Sequence, residues 1–185
     1  MQLRRLGLVD FAPTFESMKA FTAARTATTE DEIWLLQHPP VYTQGLSGKA
    51  EHVLDAGNIP VVHIDRGGQV TFHGPGQWVA YVLYDLRRAG VTIRDLVERL
   101  ERAVINVLAD LGITAYGDPS ARGVYVEGRK IAALGLKVSR GRSYHGLSLN
   151  ADMDLAPFLG INPCGYEGLE VTSVVRELGV DRAVD

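Results

Sequence analysis

The run Gly123-Val124-Tyr125-Val126-Glu127-Gly128-Arg129-Lys130-Ile131-Ala132-Ala133-Leu134-Gly135-Leu136-Lys137-Val138 decides the fold class of this 185-residue chain. Two apolar, β-prone stretches, Gly123–Val126 and Lys130–Val138, flank Glu127-Gly128-Arg129, a hairpin signature. A second glycine turn, Arg140-Gly141-Arg142, leads into a further strand over Tyr144–Asn150. Working outward, Trp78–Tyr84 reads as a long strand, apolar enough to lie centrally. Ile33–Leu36 and Val61–Ile64 read as shorter ones, and His63 within the latter as a hydrogen-bonded core or pocket residue. Phe15, Met18 and Phe21 suggest a first helix from about Pro13-Thr14. A second helix spans Ile93–Leu111, where Ile93, Leu96, Val97, Leu100, Val104, Val107, Leu108 and Leu111 share one face. Arg94, Glu98, Arg99, Glu101, Arg102 and Asp110 mostly take the other, with Thr92 as cap and Gly112 as stop. Strands in runs with helices interposed irregularly predict an α+β fold, with a mixed, mainly antiparallel sheet flanked by helices. Strict β-α-β alternation is absent, which argues against a Rossmann arrangement.

Composition narrows the function classes. The length points to one domain. A formal net charge of −3 argues against a nucleic-acid partner, which calls for a basic stripe. One cysteine excludes an intramolecular disulfide and fits a reducing, cytoplasmic setting. Met1–Asp10 carries two arginines with no apolar run behind them, so no signal peptide is expected, and no stretch reaches the ~20 apolar residues of a membrane span.

Arg66-Gly67-Gly68-Gln69-Val70-Thr71-Phe72-His73-Gly74-Pro75-Gly76-Gln77 brackets a short β-like stretch with glycine pairs, which lets backbone approach a ligand closely. It is not a nucleotide motif. After Gly74-Pro75-Gly76 the third glycine position of a dinucleotide fingerprint is Val79, and Pro75 lacks an N–H. Gly48-Lys49 echoes a phosphate loop, but Thr43 stands where its first glycine belongs and Ala50 where its hydroxyl belongs. His38, His52, His63, His73 and His145 lack metal-ligand spacing, so no metal is expected.

Cys164, the lone thiol, lies between Pro163 and Gly165, a setting for a displayed loop; free cysteine also often fills core space. A nucleophilic thiol needs a neighbouring base or cation. His73, His145 and a lysine are the candidates. Lys130 and Lys137, seven apart, point to opposite faces of a regular strand, and periodicity does not choose between them.

Five blocks, in order, carry a resemblance: His38-Pro39-Pro40-Val41-Tyr42-Thr43-Gln44-Gly45, the Arg66–Gln77 segment, Arg129–Gly135, His145–Asn150 and Ile161–Gly165. Together they resemble the octanoyltransferases of the lipoate-protein ligase B type. The resemblance implies the α/β fold shared by biotin and lipoate protein ligases and a single catalytic domain over residues 1–185. It implies transfer of an octanoyl group from the phosphopantetheine of acyl carrier protein to a lysine of lipoyl domains, those of 2-oxoacid dehydrogenase E2 subunits and glycine cleavage H protein. It maps the nucleophile to Cys164 and its partner to Lys130. Substrate contacts map to Arg66, Gly67, Gly68, Gln69, Val70, Thr71, Phe72, His73, Ala133, Leu134, Gly135, Gly146, Leu147 and Ser148. No cofactor, metal, nucleic acid or membrane is implied. Backbone N–H groups near Gly146-Leu147 or Cys164-Gly165 are candidates for binding the oxyanion. Arg129, Arg140 and Arg142 are candidate docking charges for an acidic carrier. The rival readings are an ATP-dependent lipoate or biotin ligase on the same fold and a non-catalytic acyl-binding protein.

Overall fold

The structure, a computed structural model, describes residues 1–180; positions 181–185 of the single-domain reading lie outside the described residues. The elements run β1 (Gln2–Leu8), α1 (Phe11–Ala24), β2 (Glu32–Gln37), β3 (Val41–Gln44), β4 (Val61–His63), β5 (Val70–His73) and β6 (Gln77–Leu83). They continue with α2 (Leu86–Ala89), α3 (Ile93–Asp110), β7 (Tyr116–Gly117), β8 (Val124–Val126), β9 (Arg129–Ser139), β10 (Arg142–Asn150) and α4 (Val174–Glu177). A seven-stranded sheet has the order β1-β2-β6-β10-β9-β8-β7, and a three-stranded sheet the order β4-β3-β5. Pairing is antiparallel except for β1 with β2 and β3 with β4. The α+β expectation therefore holds.

Local chemistry explains the meander at the centre. Val126 pairs with Arg129 across Glu127 and Gly128, whose φ values of 49° and 84° make a two-residue left-handed turn. Ser139 pairs with Arg142 across Arg140 and Gly141, at 52° and 81°, in the same way. Helix α3 opens on a capping box, with the Asp95 N–H donating to Thr92 Oγ1 at 3.1 Å and the Thr92 N–H to Asp95 Oδ2 at 2.8 Å. Its Val104 and Leu108 pack on Val124, Val126, Ile131 and Ala132, while Met18 of α1 packs with Trp34, Leu36, Val79 and Tyr81 on the opposite face.

Four details depart from the sequence reading. Strands β1, β3 and β7 and the short helices α2 and α4 have no counterpart in that reading. His63 is exposed on β4, an edge strand, and is neither core nor pocket. Glu101, on the polar side of α3, is buried. Arg140 and Arg142 lie at the far end of β9 from Lys130, about 30 Å away for nine strand residues. Arg142 is also engaged, 3.3 Å from Asp85 and bonded to the Arg25 carbonyl, and Arg129 bridges Glu127 and Glu177 at 3.1 Å each. Arg142 and Arg129 are thus engaged in ion pairs within the fold, and Arg140 is exposed on the turn between β9 and β10.

Candidate active site

Between the two sheets lies a cavity of about 320 Å³. The glycine-rich segment joins the sheets, because the Gly67 N–H donates to the Leu136 carbonyl at 3.1 Å and the Leu46 N–H to the Arg66 carbonyl at 2.9 Å. Gly45 fits beneath this crossing only without a side chain, since a Cβ there would lie 2.4 Å from the Gly68 carbonyl oxygen. Arg66, Gly68, Gln69, Val70, Thr71 and His73 line the cavity from this side, and Ala133, Leu134, Gly135, Gly146, Leu147 and Ser148 from β9 and β10. Gly67 and Phe72 are not among the lining residues. The Phe72 ring packs instead against Tyr42 and Phe158, in a separate core.

Cys164 and Lys130, 34 positions apart, meet at this cavity. The Lys130 N–H donates to the Glu170 carbonyl and the Thr172 N–H to the Lys130 carbonyl, each at 2.9 Å, so the segment after Cys164 is pinned alongside β9. Lys130 Nζ then donates to Cys164 Sγ and to the Arg122 carbonyl, both at 3.1 Å, and lies 5.1 Å from the centre of the Tyr125 ring. Burial disfavours the ammonium, but Cys164 and Tyr125 outweigh it and hold the Lys130 pKa above the ordinary lysine value. Lys137, seven residues on, is outside the cavity lining. The thiol itself is partly exposed, at φ 58° and ψ 15°, a left-handed conformation rare for a residue with a Cβ. The turn that imposes it closes through Gly165 N–H to Asn162 O, 2.9 Å, and Tyr166 N–H to Pro163 O, 3.1 Å. The Gly165 N–H is thereby committed within the turn, which leaves it out of an oxyanion site.

The cavity carries polar groups whose protonation is set by burial. Arg66 is buried, donates to Thr43 O (2.7 Å), Thr43 Oγ1 (3.0 Å) and Gly67 O (2.9 Å), and burial lowers its pKa to about 10. His73 Nδ1 is 2.7 Å from Gln77 Oε1, and burial, with neighbouring positive groups, lowers its pKa to about 3. His145, at φ 59°, turns into the cavity and meets Asp65 Oδ1 at 3.1 Å; burial lowers its pKa to about 4. Asp65 resists its own burial because Tyr144 and His145 donate to it, which holds it below the usual carboxylate range. His38 is structural, bound to the Val9 carbonyl and the Tyr81 hydroxyl at 2.7 Å each.

The two cavity histidines make stability pH-dependent. Their folded pKa values lie below the unfolded value near 6.5, so the unfolded chain takes up protons first as pH falls. The stabilisation is complete above pH 6.5 and is lost toward pH 4 for His145 and pH 3 for His73, at up to about 1.4 kcal/mol per pH unit for each. Urea unfolding at pH 7 and pH 5 should show this fall, and His73→Gln should flatten it. Equal stability at the two pH values in the unmodified protein would contradict the assignment.

Sequence reasoning missed several cavity residues. Phe11 and Tyr81 line it from α1 and β6, and Arg122 and Tyr166 from the loops beside Lys130 and Cys164. Only Tyr166 carried a local signal, its place two residues after the thiol. Among the described residues, no cluster of histidine, cysteine and carboxylates is placed to hold a metal ion, and no helix is long and apolar enough to cross a membrane.

Comparison with known proteins fits this geometry. A relative named octanoyltransferase, from Laribacter hongkongensis, is 59% identical over 98% of this chain and 87% of its own length. The crystal structure of a lipoate-protein ligase A bound with ATP superposes with a TM-score of 0.75 at 18% identity, over 100% of this chain and 80% of that one. The biotin protein ligase from Aquifex aeolicus, in complex with biotin and ATP, superposes with a TM-score of 0.60 at 14% identity, over 98% and 62%. Those two share the fold with this chain. Residues 10–185, which contain both sheets from α1 onward together with Cys164 and Lys130, match the lipoyl protein ligase A/B catalytic domain, and the chain belongs to that family.

Proposed function

We propose that this chain, as one catalytic domain in the cytoplasm, transfers an octanoyl group from acyl carrier protein to a lysine of lipoyl domains, through a thioester on Cys164. The acceptors in this reading are the lipoyl domains of 2-oxoacid dehydrogenase E2 subunits and glycine cleavage H protein. The observation that carries it is the 3.1 Å contact of Lys130 Nζ with Cys164 Sγ beside a largely apolar cavity. The name of the Laribacter hongkongensis relative supports the octanoyl group.

The chemistry balances with these two residues. The ammonium stabilises the thiolate, which attacks the carbonyl of the carrier thioester and forms a new C–S bond. As the bond to the pantetheine sulfur breaks, that sulfur takes a proton from Lys130. The neutral acceptor amine then attacks the acyl-Cys164 carbonyl, Lys130 takes its proton, and Sγ leaves as thiolate. The tail lies against Phe11, Ile64, Val79 and Leu134, where each buried methylene contributes up to about 0.8 kcal/mol.

A carrier thioester is already activated, so in this reading neither ATP nor a metal takes part. The test is acylation of a lipoyl domain from octanoyl-carrier protein in chelator without nucleotide, beside free octanoate with Mg-ATP. Transfer in the first mixture is expected. Activity only in the second would hand the protein to the ligase reading.

A further inference from the structure

Glu101 sits on the polar side of α3 by helical periodicity, yet it is only 6% exposed, beneath the loop that precedes β8. One of its carboxylate oxygens accepts the Gly123 N–H at 3.1 Å, and the other accepts from Arg122 Nη1 at 3.1 Å. The Gly123 N–H and the Arg122 C=O are the two ends of a single planar peptide group. That same carbonyl accepts from Lys130 Nζ at 3.1 Å, and Nζ donates in turn to Cys164 Sγ at 3.1 Å. Carboxylate, peptide, ammonium and sulfur thus form one unbroken hydrogen-bonded chain from α3 to the nucleophile turn. Gly123 admits the lysine into it. At φ 145°, a Cβ there would lie 2.9 Å from Lys130 Cε and 2.9 Å from the Ala132 carbonyl oxygen.

We propose that Glu101 is a positioning residue that acts on Cys164 through the Arg122–Gly123 peptide and Lys130. The inference rests on the acyl-transfer reading of Cys164 and Lys130 above. A carboxylate accepting from the N–H end of a peptide polarises the whole group, and its carbonyl becomes a stronger acceptor. That anchors one of the three ammonium donors of Lys130 and aims another at Sγ. The other charged neighbours are Arg122, which partly neutralises Glu101, Glu98, 3.8 Å from Arg122, and Asp118, which acts on Lys130 electrostatically.

The test is the rate at which iodoacetamide alkylates Cys164 in the full chain at pH 7, for Glu101→Gln, Lys130→Met and the double variant. Glu101→Gln should slow alkylation about tenfold, equivalent to about 1.4 kcal/mol, and lower kcat in step while KM for the donor stays within about twofold. The double variant should be no slower than Lys130→Met alone, because Glu101 acts through the lysine. Glu98→Gln should alkylate at the unmodified rate. Wild-type alkylation in Glu101→Gln, or a full additional slowing in the Lys130→Met background, would overturn the proposal. If Glu101→Gln does not fold, the Gly123 amide proton is followed by NMR in Lys130→Met. Its resonance should move when the chain is broken at the lysine, and an unmoved resonance overturns the proposal equally. Alkylation reads the thiol without any acyl donor, so an absent acyl-Cys164 intermediate would sink the transfer mechanism and leave this result standing.

Discussion

Cys164→Ala is expected to lower octanoyl transfer about 10⁴-fold while leaving a folded protein. The loss is large because no other side chain at the cavity replaces a thiolate. Arg66 is a cation at neutral pH, His73 and His145 are neutral and hydrogen-bonded, and the Ser148 hydroxyl makes no hydrogen bond to a base among the described residues. Fold survives because alanine keeps the same left-handed backbone and removes one partly exposed sulfur. Circular dichroism and thermal unfolding provide that control. The companion measurement is mass analysis of the unmodified enzyme after mixing with octanoyl-carrier protein and no acceptor, where the peptide containing Cys164 should gain one octanoyl group. Undiminished turnover in Cys164→Ala would end the covalent mechanism.

Lys130→Met should lower kcat about 10³-fold, within the span that a positioned general acid and base supplies. Methionine nearly preserves the volume of the buried stem, so the variant tests the ammonium and not a cavity. The lysine ammonium donates to Cys164 Sγ at 3.1 Å, and methionine removes that donor. Alkylation of Cys164 should therefore slow in Lys130→Met. Lys137→Ala should change both rates less than about twofold, since Lys137 takes no part in the cavity lining. A larger effect at Lys137 than at Lys130 would refute the assignment of the pair.

The meander from Gly123 to Asn150 was readable because its turns are local. Gly128 and Gly141 are each half of a two-residue turn, and such turns fix register without help from distant residues. Helix α3 was readable through its apolar stripe and its cap. Strand β1 was not, because all seven of its residues are exposed and it gains its place only by pairing with β2. Strand β3 is buried at every position, so it shows no alternation to detect. Within the site, periodicity left Lys130 and Lys137 tied; the resemblance chose Lys130, and the fold puts that lysine against the sulfur. Periodicity misread Glu101 for a physical reason: its burial comes from Arg122 and Gly123, 21 and 22 residues away, which no helical wheel contains.

The pinning of Glu170 and Thr172 to the Lys130 backbone sets an order of assembly during synthesis. A ribosome adding 5–20 residues per second makes the lysine roughly 2–7 s before the thiol, and Glu170 and Thr172 later still. Strands β8, β9 and β10 emerge as a contiguous meander and are able to pair first, with the lysine waiting at one edge. The reactive pair then comes into being in a single docking event, when the turn holding Cys164 is laid against a surface that already exists. A nascent chain stopped before residue 161 carries the sequence of β9 and β10 but lacks the thiol. In the acyl-transfer reading proposed above, a donor thioester thus meets its nucleophile only on a polypeptide whose translation has passed that point.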